Sequence, residues 1–281
     1  MALLAVPTPT SAAGHNPRAV TSASPFSLAG MDVVVIGGAS GIGEASALLA
    51  VRSGARVVVA DRDEAAAARV AATAAANGGT AIARPVDIRS GESVETLFVE
   101  LESEGFQPRG LVSTPGVNVR KRLADTNEEE FERVVSLNLK GTFHALRHGA
   151  ASLARSGGGS IVLLSSIRSQ VVEAGQGVYA ATKAGIVQLA RTAAAEWAAS
   201  GVRVNALAPG VVETPLTAQI EKRPDWKQAY TDKTLLGRWA TAEEMAAPTV
   251  FLLSPAASYV TGSVLFADGG WTAVDGRFDP L

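Results

Sequence analysis

The stretch Val33-Val34-Val35-Ile36-Gly37-Gly38-Ala39-Ser40-Gly41-Ile42-Gly43 decides the fold of this chain. Its four β-branched residues read as a buried strand, and an apolar pattern at helical spacing begins at Ile42. The glycines fall between the two. Gly37 suits the tight turn that leaves the strand, Gly41 permits close backbone approach by a ligand, and Gly43 lets the helix pack against the strand. A helix opening here presents free N–H groups and the positive end of its dipole, flanked by Ser40 and Ile42, to a diphosphate. Glycines also punctuate ordinary turns, so the pattern takes its meaning from its place between strand and helix.

Outward from that turn, short β-branched runs alternate with alanine-rich stretches. Strands are expected at 33–36, 56–60, 80–86, 110–113, 160–165, 203–207 and 264–267, and helices at 42–53, 64–77, 90–104, 128–156, 178–200 and 242–253. This alternation predicts an α/β, doubly wound fold: a seven-stranded parallel sheet with helices on both faces. No Pro/Ser-rich linker interrupts 30–281, so one domain is expected there, preceded by a disordered tail at 1–29 rich in Pro, Ser, Thr and Ala. The segment 211–237 breaks the rhythm. Insertions at the carboxyl ends of strands lie over the ligand crevice in such sheets, which makes it a candidate lid.

A chain of 281 residues can bury a large core without staples. The absence of cysteine excludes disulfides, thiolate–metal sites and thiol nucleophiles, and no metal site is expected. A net charge of −2, with no dense run of Lys and Arg, argues against a nucleic-acid partner. No apolar run approaches the roughly 18 residues of a spanning helix, so no membrane partner is expected. Residues 1–6 are apolar but lack a basic flank and stop at Pro7, a poor secretory signal, and a cytoplasmic location is expected.

The second strand closes on Asp61, 18 residues beyond Gly43. A carboxylate there can accept hydrogen bonds from both hydroxyls of an adenosine ribose and would repel a 2′-phosphate, which favours NAD over NADP. Capping of the following helix is the plainer alternative. The neighbouring Arg62 could instead pair with a phosphate. Asp87 and Ile88, after the third strand, could hold the adenine, or Asp87 could cap the helix from Ser90.

Tyr179 and Lys183 open a long helix four residues apart, on one face. An ammonium so placed can stabilise phenolate, and a tyrosine tuned this way can exchange a proton with a substrate oxygen. Ser166, thirteen residues before Tyr179, ends the fifth strand where it faces the crevice, so its hydroxyl can donate to a carbonyl oxygen. Asn138 sits in apolar surroundings within the helix from 128; it reads either as a locally satisfied kink or as the holder of a water that relays protons to Lys183.

Together these residues resemble the short-chain dehydrogenase/reductase family in its single-domain, Rossmann-type branch, over nearly the whole chain beyond the tail. The family's glycine turn matches at Gly37, Gly41 and Gly43, and its tetrad falls on Ser166, Tyr179, Lys183 and Asn138. Pro209-Gly210 with Val212 and Thr214 looks like the family's nicotinamide-contacting turn, and Gly116 falls in its loop after the fourth strand. The resemblance implies hydride transfer between a nicotinamide cofactor and a secondary alcohol or ketone. It makes Tyr179 the acid/base, Ser166 the substrate-oxygen holder, Lys183 the ribose anchor and Asn138 the water holder, and it implies a homotetramer. Two positions depart: the family's threonine before the first glycine is Ile36, and its Asn-Asn-Ala-Gly reads Ser113-Thr114-Pro115-Gly116. Ile36 lacks a hydroxyl that would tie these segments together, and Pro115 lacks a backbone donor.

The segment after Ser166 is polar, so Arg168 or Gln170 is expected to contact a carboxylate or several hydroxyls, as in a sugar acid, polyol or oxo-acid; an exposed arginine is the alternative. The wording around Arg168 and the ending Gly269-Gly270-Trp271 resemble the gluconate 5-dehydrogenase-like group. A 3-oxoacyl-carrier-protein reductase or broad ketone reductase using NADPH is the enzymatic rival, with Arg120, Lys121 and Arg122 as a docking patch for an acidic carrier. An NAD-binding sensor or scaffold is the non-enzymatic one.

Overall fold

Runs of β-branched residues become strands when both faces of a sheet are covered, because successive side chains then enter two dry layers. In the computed structural model, which describes residues 24–276, the strands are β1 (Asp32–Ile36), β2 (Arg56–Asp61), β3 (Thr80–Pro85), β4 (Pro108–Ser113), β5 (Gly159–Leu164), β6 (Val202–Pro209) and β7 (Val264–Ala267). All pair in parallel, in the order β3-β2-β1-β4-β5-β6-β7. The order reverses beside β1, which places a crevice outside the carboxyl ends of β1 and β4.

The helices are α1 (Gly41–Arg52), α2 (Glu64–Ala76), α3 (Gly91–Ser103), α4 (Glu128–Val135), α5 (Gly141–Arg155), α6 (Gly177–Trp197), α7 (Ala218–Glu221), α8 (Pro224–Lys233) and α9 (Ala242–Leu253). Val34, Ile36 and Val58 pack on one sheet face with Phe98, Leu153 and Ile186 of α3, α5 and α6. Their neighbours Val33, Val35 and Val57 pack on the other with Ala50, Val70 and Leu252 of α1, α2 and α9. Each such valine stabilises the fold by about 1.5–3 kcal/mol on burial.

Three expectations need revision. The single helix expected at 128–156 is interrupted by a π-helical turn at Ser136–Lys140, which carries Asn138. The segment 211–237 contains α7 and α8, whose sparse apolar residues gave no helical period. Of the expected tail, residues 1–23 lie outside the described residues, but the chain is tied to the domain from Pro25 onward. Leu28 is fully buried, its N–H donates to the Ser53 carbonyl at 2.8 Å, and the Pro25 carbonyl accepts from the Ala256 N–H at 2.9 Å. The packed domain therefore begins upstream of residue 30. No helix among the described residues is long and apolar enough to cross a membrane.

Candidate active site

The turn between β1 and α1 needs its glycines. Gly37 and Gly41 have φ of +81° and +52°, and a Cβ at Gly43 would overlap the Gly37 carbonyl oxygen. Asp63, Ser90, Asn127 and Thr241 cap α2, α3, α4 and α9 with their side chains, whereas Ser40 makes no such bond to α1. The first-turn N–H groups of α1 are thus left for a ligand. The tie that Ile36 lacks is supplied from the other side: the Thr114 hydroxyl donates to the Ile36 and Gly37 carbonyls at 3.2 and 3.0 Å.

A cleft of about 940 Å³ lies over these strand ends. Gly37, Ser40, Gly41, Ile42, Gly43, Asp61, Arg62, Asp87, Ile88, Gly116, Tyr179, Lys183, Pro209, Gly210, Val212 and Thr214 all line it, with Ser166. At one end, the Asp61 carboxylate accepts from the Ala39 and Asp63 N–H groups at 3.2 and 3.1 Å. It does not cap α2, since Asp63 does. Asp87 likewise leaves the capping of α3 to Ser90 and instead pairs with Arg89 at 2.6 Å, which holds its carboxyl below the usual range. Arg62 makes no ion pair among the described residues.

At the other end, Ser166 follows β5 and caps a short 3-10 turn, Ile167–Ser169, by accepting from the Arg168 N–H at 3.1 Å. Ser166 and Tyr179 line the same cleft. The phenol pKa is pushed up by burial, against the pull of Ser166 and of the Arg168 and Arg120 charges. The expected lowering by Lys183 is not what the geometry gives. Lys183 Nζ donates to the Leu164 carbonyl at 2.7 Å and lies 5.6 Å from the Tyr179 ring centre, and burial lowers its own pKa to about 8.

Asn138 lies behind the cleft, fully buried. Its Oδ1 accepts from the Val117 N–H at 2.8 Å, while Nδ2 donates to the Val117 carbonyl and the Thr182 hydroxyl at 3.0 and 3.1 Å. The amide thereby pins the loop after β4 to α6, and only Oδ1 keeps a free lone pair for a water. The π turn supplies this inward-facing position, a use to which such turns are often put.

Arg168 is buried rather than exposed, and Gln170 is exposed at the end of the same turn, lining neither the cleft nor the charged cluster. Arg168 pairs with Glu173 at 2.5 Å and stacks 5.2 Å from the Trp271 ring centre. Glu173 also accepts from Arg120, from Gln176 and from Tyr230 of α8. None of Glu173, Gln176 and Tyr230 was marked by the sequence, whose only signal was the polarity of the loop after Ser166. Of the candidate docking patch, Arg120 is paired with Glu173 and the exposed Lys121 with Glu130.

A family model described as enoyl-(acyl carrier protein) reductase matches residues 37–272. A galactitol 2-dehydrogenase (L-tagatose-forming) of Cereibacter sphaeroides is 38% identical over 88% of this chain and 97% of its own. The solved structure of a short-chain type dehydrogenase/reductase from Mycobacterium ulcerans is 33% identical, with a TM-score of 0.85 over 89% of this chain and 92% of its own. The chain belongs to the short-chain dehydrogenase/reductase family. As a member of that family it is an oxidoreductase, and the sensor reading is set aside. Among the solved short-chain dehydrogenase/reductase structures it also resembles a gluconate 5-dehydrogenase from Burkholderia cenocepacia in complex with NADP and tartrate, at 29% identity and a TM-score of 0.86 over 89% of this chain and 98% of its own.

Proposed function

We propose that this protein interconverts a secondary alcohol and a ketone by hydride transfer with NAD(H), using Ser166, Tyr179, Lys183 and Asn138. The substrate we assign to it is a polyol, sugar acid or oxo-acid. One observation carries the reading: the Ser166–Tyr179 pair lines the same cleft as the uncapped start of α1, so a bound dinucleotide and a proton carrier share one space. A dinucleotide fits the glycine turn, where Gly41 presents bare backbone to the cleft and Gly43 lets α1 pack against Gly37. When bound, the nicotinamide supplies or accepts the hydride at the substrate carbon.

Tyr179 Oη gives a proton to the substrate oxygen in reduction and takes one in oxidation. Ser166 holds that oxygen by a hydrogen bond. Lys183 anchors the ribose, and Asn138 keeps the Val117 loop in place beside it. Because burial raises the Tyr179 pKa, the phenol holds its proton at neutral pH, which suits reduction there and makes oxidation accelerate toward alkaline pH. The segment 211–237 acts as the lid, and the fixed Asp61 carboxylate selects NAD. A second reading, use of NADPH, is favoured by the exposed Arg62 on the same wall, which makes no ion pair among the described residues.

Fluorescence titration with NADH and NADPH, followed by a panel of polyols, sugar acids, oxo-esters and cyclic ketones, tests both. Tighter NADPH binding overturns the role of Asp61. Full activity in Tyr179→Phe overturns the assignment of the proton carrier.

A further inference from the structure

Four donors from four parts of the chain converge on the Glu173 carboxylate. Arg168 Nη2 and Gln176 Nε2 each lie 2.5 Å from Oε2, the Tyr230 hydroxyl lies 2.6 Å from both oxygens, and Arg120 Nη1 lies 3.3 Å from Oε1. Arg120 comes from the loop after β4, Arg168 from the turn begun by Ser166, Gln176 from the residue before α6, and Tyr230 from α8. Gln176 also accepts from Asn118 at 2.8 Å, and Arg120 donates to Tyr230 at 3.0 Å. Tyr230 in turn packs 5.7 Å from Trp271 and 6.3 Å from Trp239 between ring centres, so α8 reaches the cluster through one aromatic residue.

We infer that Glu173 is a positioning residue that latches the 211–237 segment shut through Tyr230 and, through Arg168 and Arg120, sets the charge felt at Tyr179. The latch is geometric: Tyr230 is the one α8 side chain hydrogen-bonded to the cluster among the described residues. The electrostatic half follows from sign. Tyr179 shares its cleft with Ser166, whose hydroxyl accepts from the Arg168 N–H, and with Lys183, whose Nζ lies 5.6 Å from the phenol ring centre; the Arg168 and Arg120 charges both pull the phenol pKa down. Both guanidinium charges favour phenolate, and the carboxylate between them offsets part of that effect. Removal of the carboxylate leaves two buried or half-buried cations unopposed.

This inference rests on the assignment of Tyr179 as proton carrier, so its readouts do not use turnover. Limited trypsin digestion of the full chain reports the latch at the exposed Lys222, Lys227 and Lys233. Glu173→Gln and Tyr230→Phe are expected to be cut there several-fold faster than wild type, with cleavage elsewhere unchanged. Phenolate absorbance reports the charge. The chain has three tyrosines, so Tyr230→Phe leaves Tyr179 and the fully exposed Tyr259. Read below the pH at which far-ultraviolet circular dichroism changes, Tyr179 is expected to ionise at lower pH in Tyr230→Phe/Glu173→Gln than in Tyr230→Phe. Restoring a carboxylate as Glu173→Asp in the same background is expected to return the transition toward its starting pH. Glu173→Ala in that background, which also removes the carboxylate, serves as the test variant if the glutamine variant does not fold. Wild-type cleavage rates in both single variants overturn the latch, and an unmoved Tyr179 transition overturns the electrostatic role. Failure of every substrate in the panel, with both readouts as expected, would instead count against the proposed reaction and leave the latch standing.

Discussion

Lys183 is held inside the protein at an energetic cost that its replacement should reveal. Burial lowers its pKa from 10.5 to about 8, which corresponds to about 3 kcal/mol against the charged form. The bond from Nζ to the Leu164 carbonyl returns about 1.5 kcal/mol, as expected of a hydrogen bond with a charged donor. Lys183→Met should therefore stabilise the fold at neutral pH by about 1.5 kcal/mol while abolishing activity. The pH dependence has a definite sign. Below the folded-state value of about 8 the side chain is protonated in both states and the full cost is present. Between about 8 and 10.5 only the unfolded chain keeps the proton, so wild-type stability rises with pH. Urea unfolding of the two proteins at equal concentration, from about pH 7 to about pH 10, should show the methionine variant's advantage shrinking. A variant less stable than wild type at neutral pH, or a difference indifferent to pH, would refute the reasoning.

Thr114→Val removes the donor to two carbonyls of the β1–α1 turn and should lower stability by about 1–2 kcal/mol and weaken NADH binding; an unfolding curve and titration matching wild type would contradict this. Gly43→Ala drives a methyl group into the Gly37 carbonyl. A backbone shift is required, costing about 1–3 kcal/mol, and loss of NADH affinity well before loss of fold is the expected result in titration and circular dichroism.

Much of this architecture is legible along the chain because strands and helices announce themselves through local spacing. Val33 to Val35 alternate between the two core layers, and Gly37, Gly41 and Gly43 stand where backbone crowding demands them. The residues brought into the cleft are those that end a strand or open a helix, so their place follows from topology alone. What escaped depends on distance or on competition. Arg120 and Tyr230 are 110 residues apart, and no periodicity links either to Glu173. The π turn at Ser136–Lys140 leaves the apolar pattern of a continuous helix almost unchanged. Leu28 stands alone after a stretch rich in Pro, Ser, Thr and Ala, with no periodic apolar partners to mark it. For Tyr179 the spacing to Lys183 suggested a lowered pKa, but burial outweighs a lysine that points its charge at a carbonyl.

The bond from Thr114 across to the Ile36 and Gly37 carbonyls also constrains how such a chain can change by single substitutions. The family pattern places the tying hydroxyl on the first strand; here it stands on the neighbouring loop. In this chain the loop hydroxyl alone makes the tie to both carbonyls. A route between the two arrangements that loses the first hydroxyl before gaining the second passes through a protein with a slack turn, weaker by about the 1–2 kcal/mol of the missing bonds. Ile36 is fully buried in the sheet core, so Ile36→Thr should itself cost about 1–3 kcal/mol in this background. It should cost less once Thr114 is gone, because its hydroxyl then supplies the missing tie, so the effect of one position is set by the state of the other.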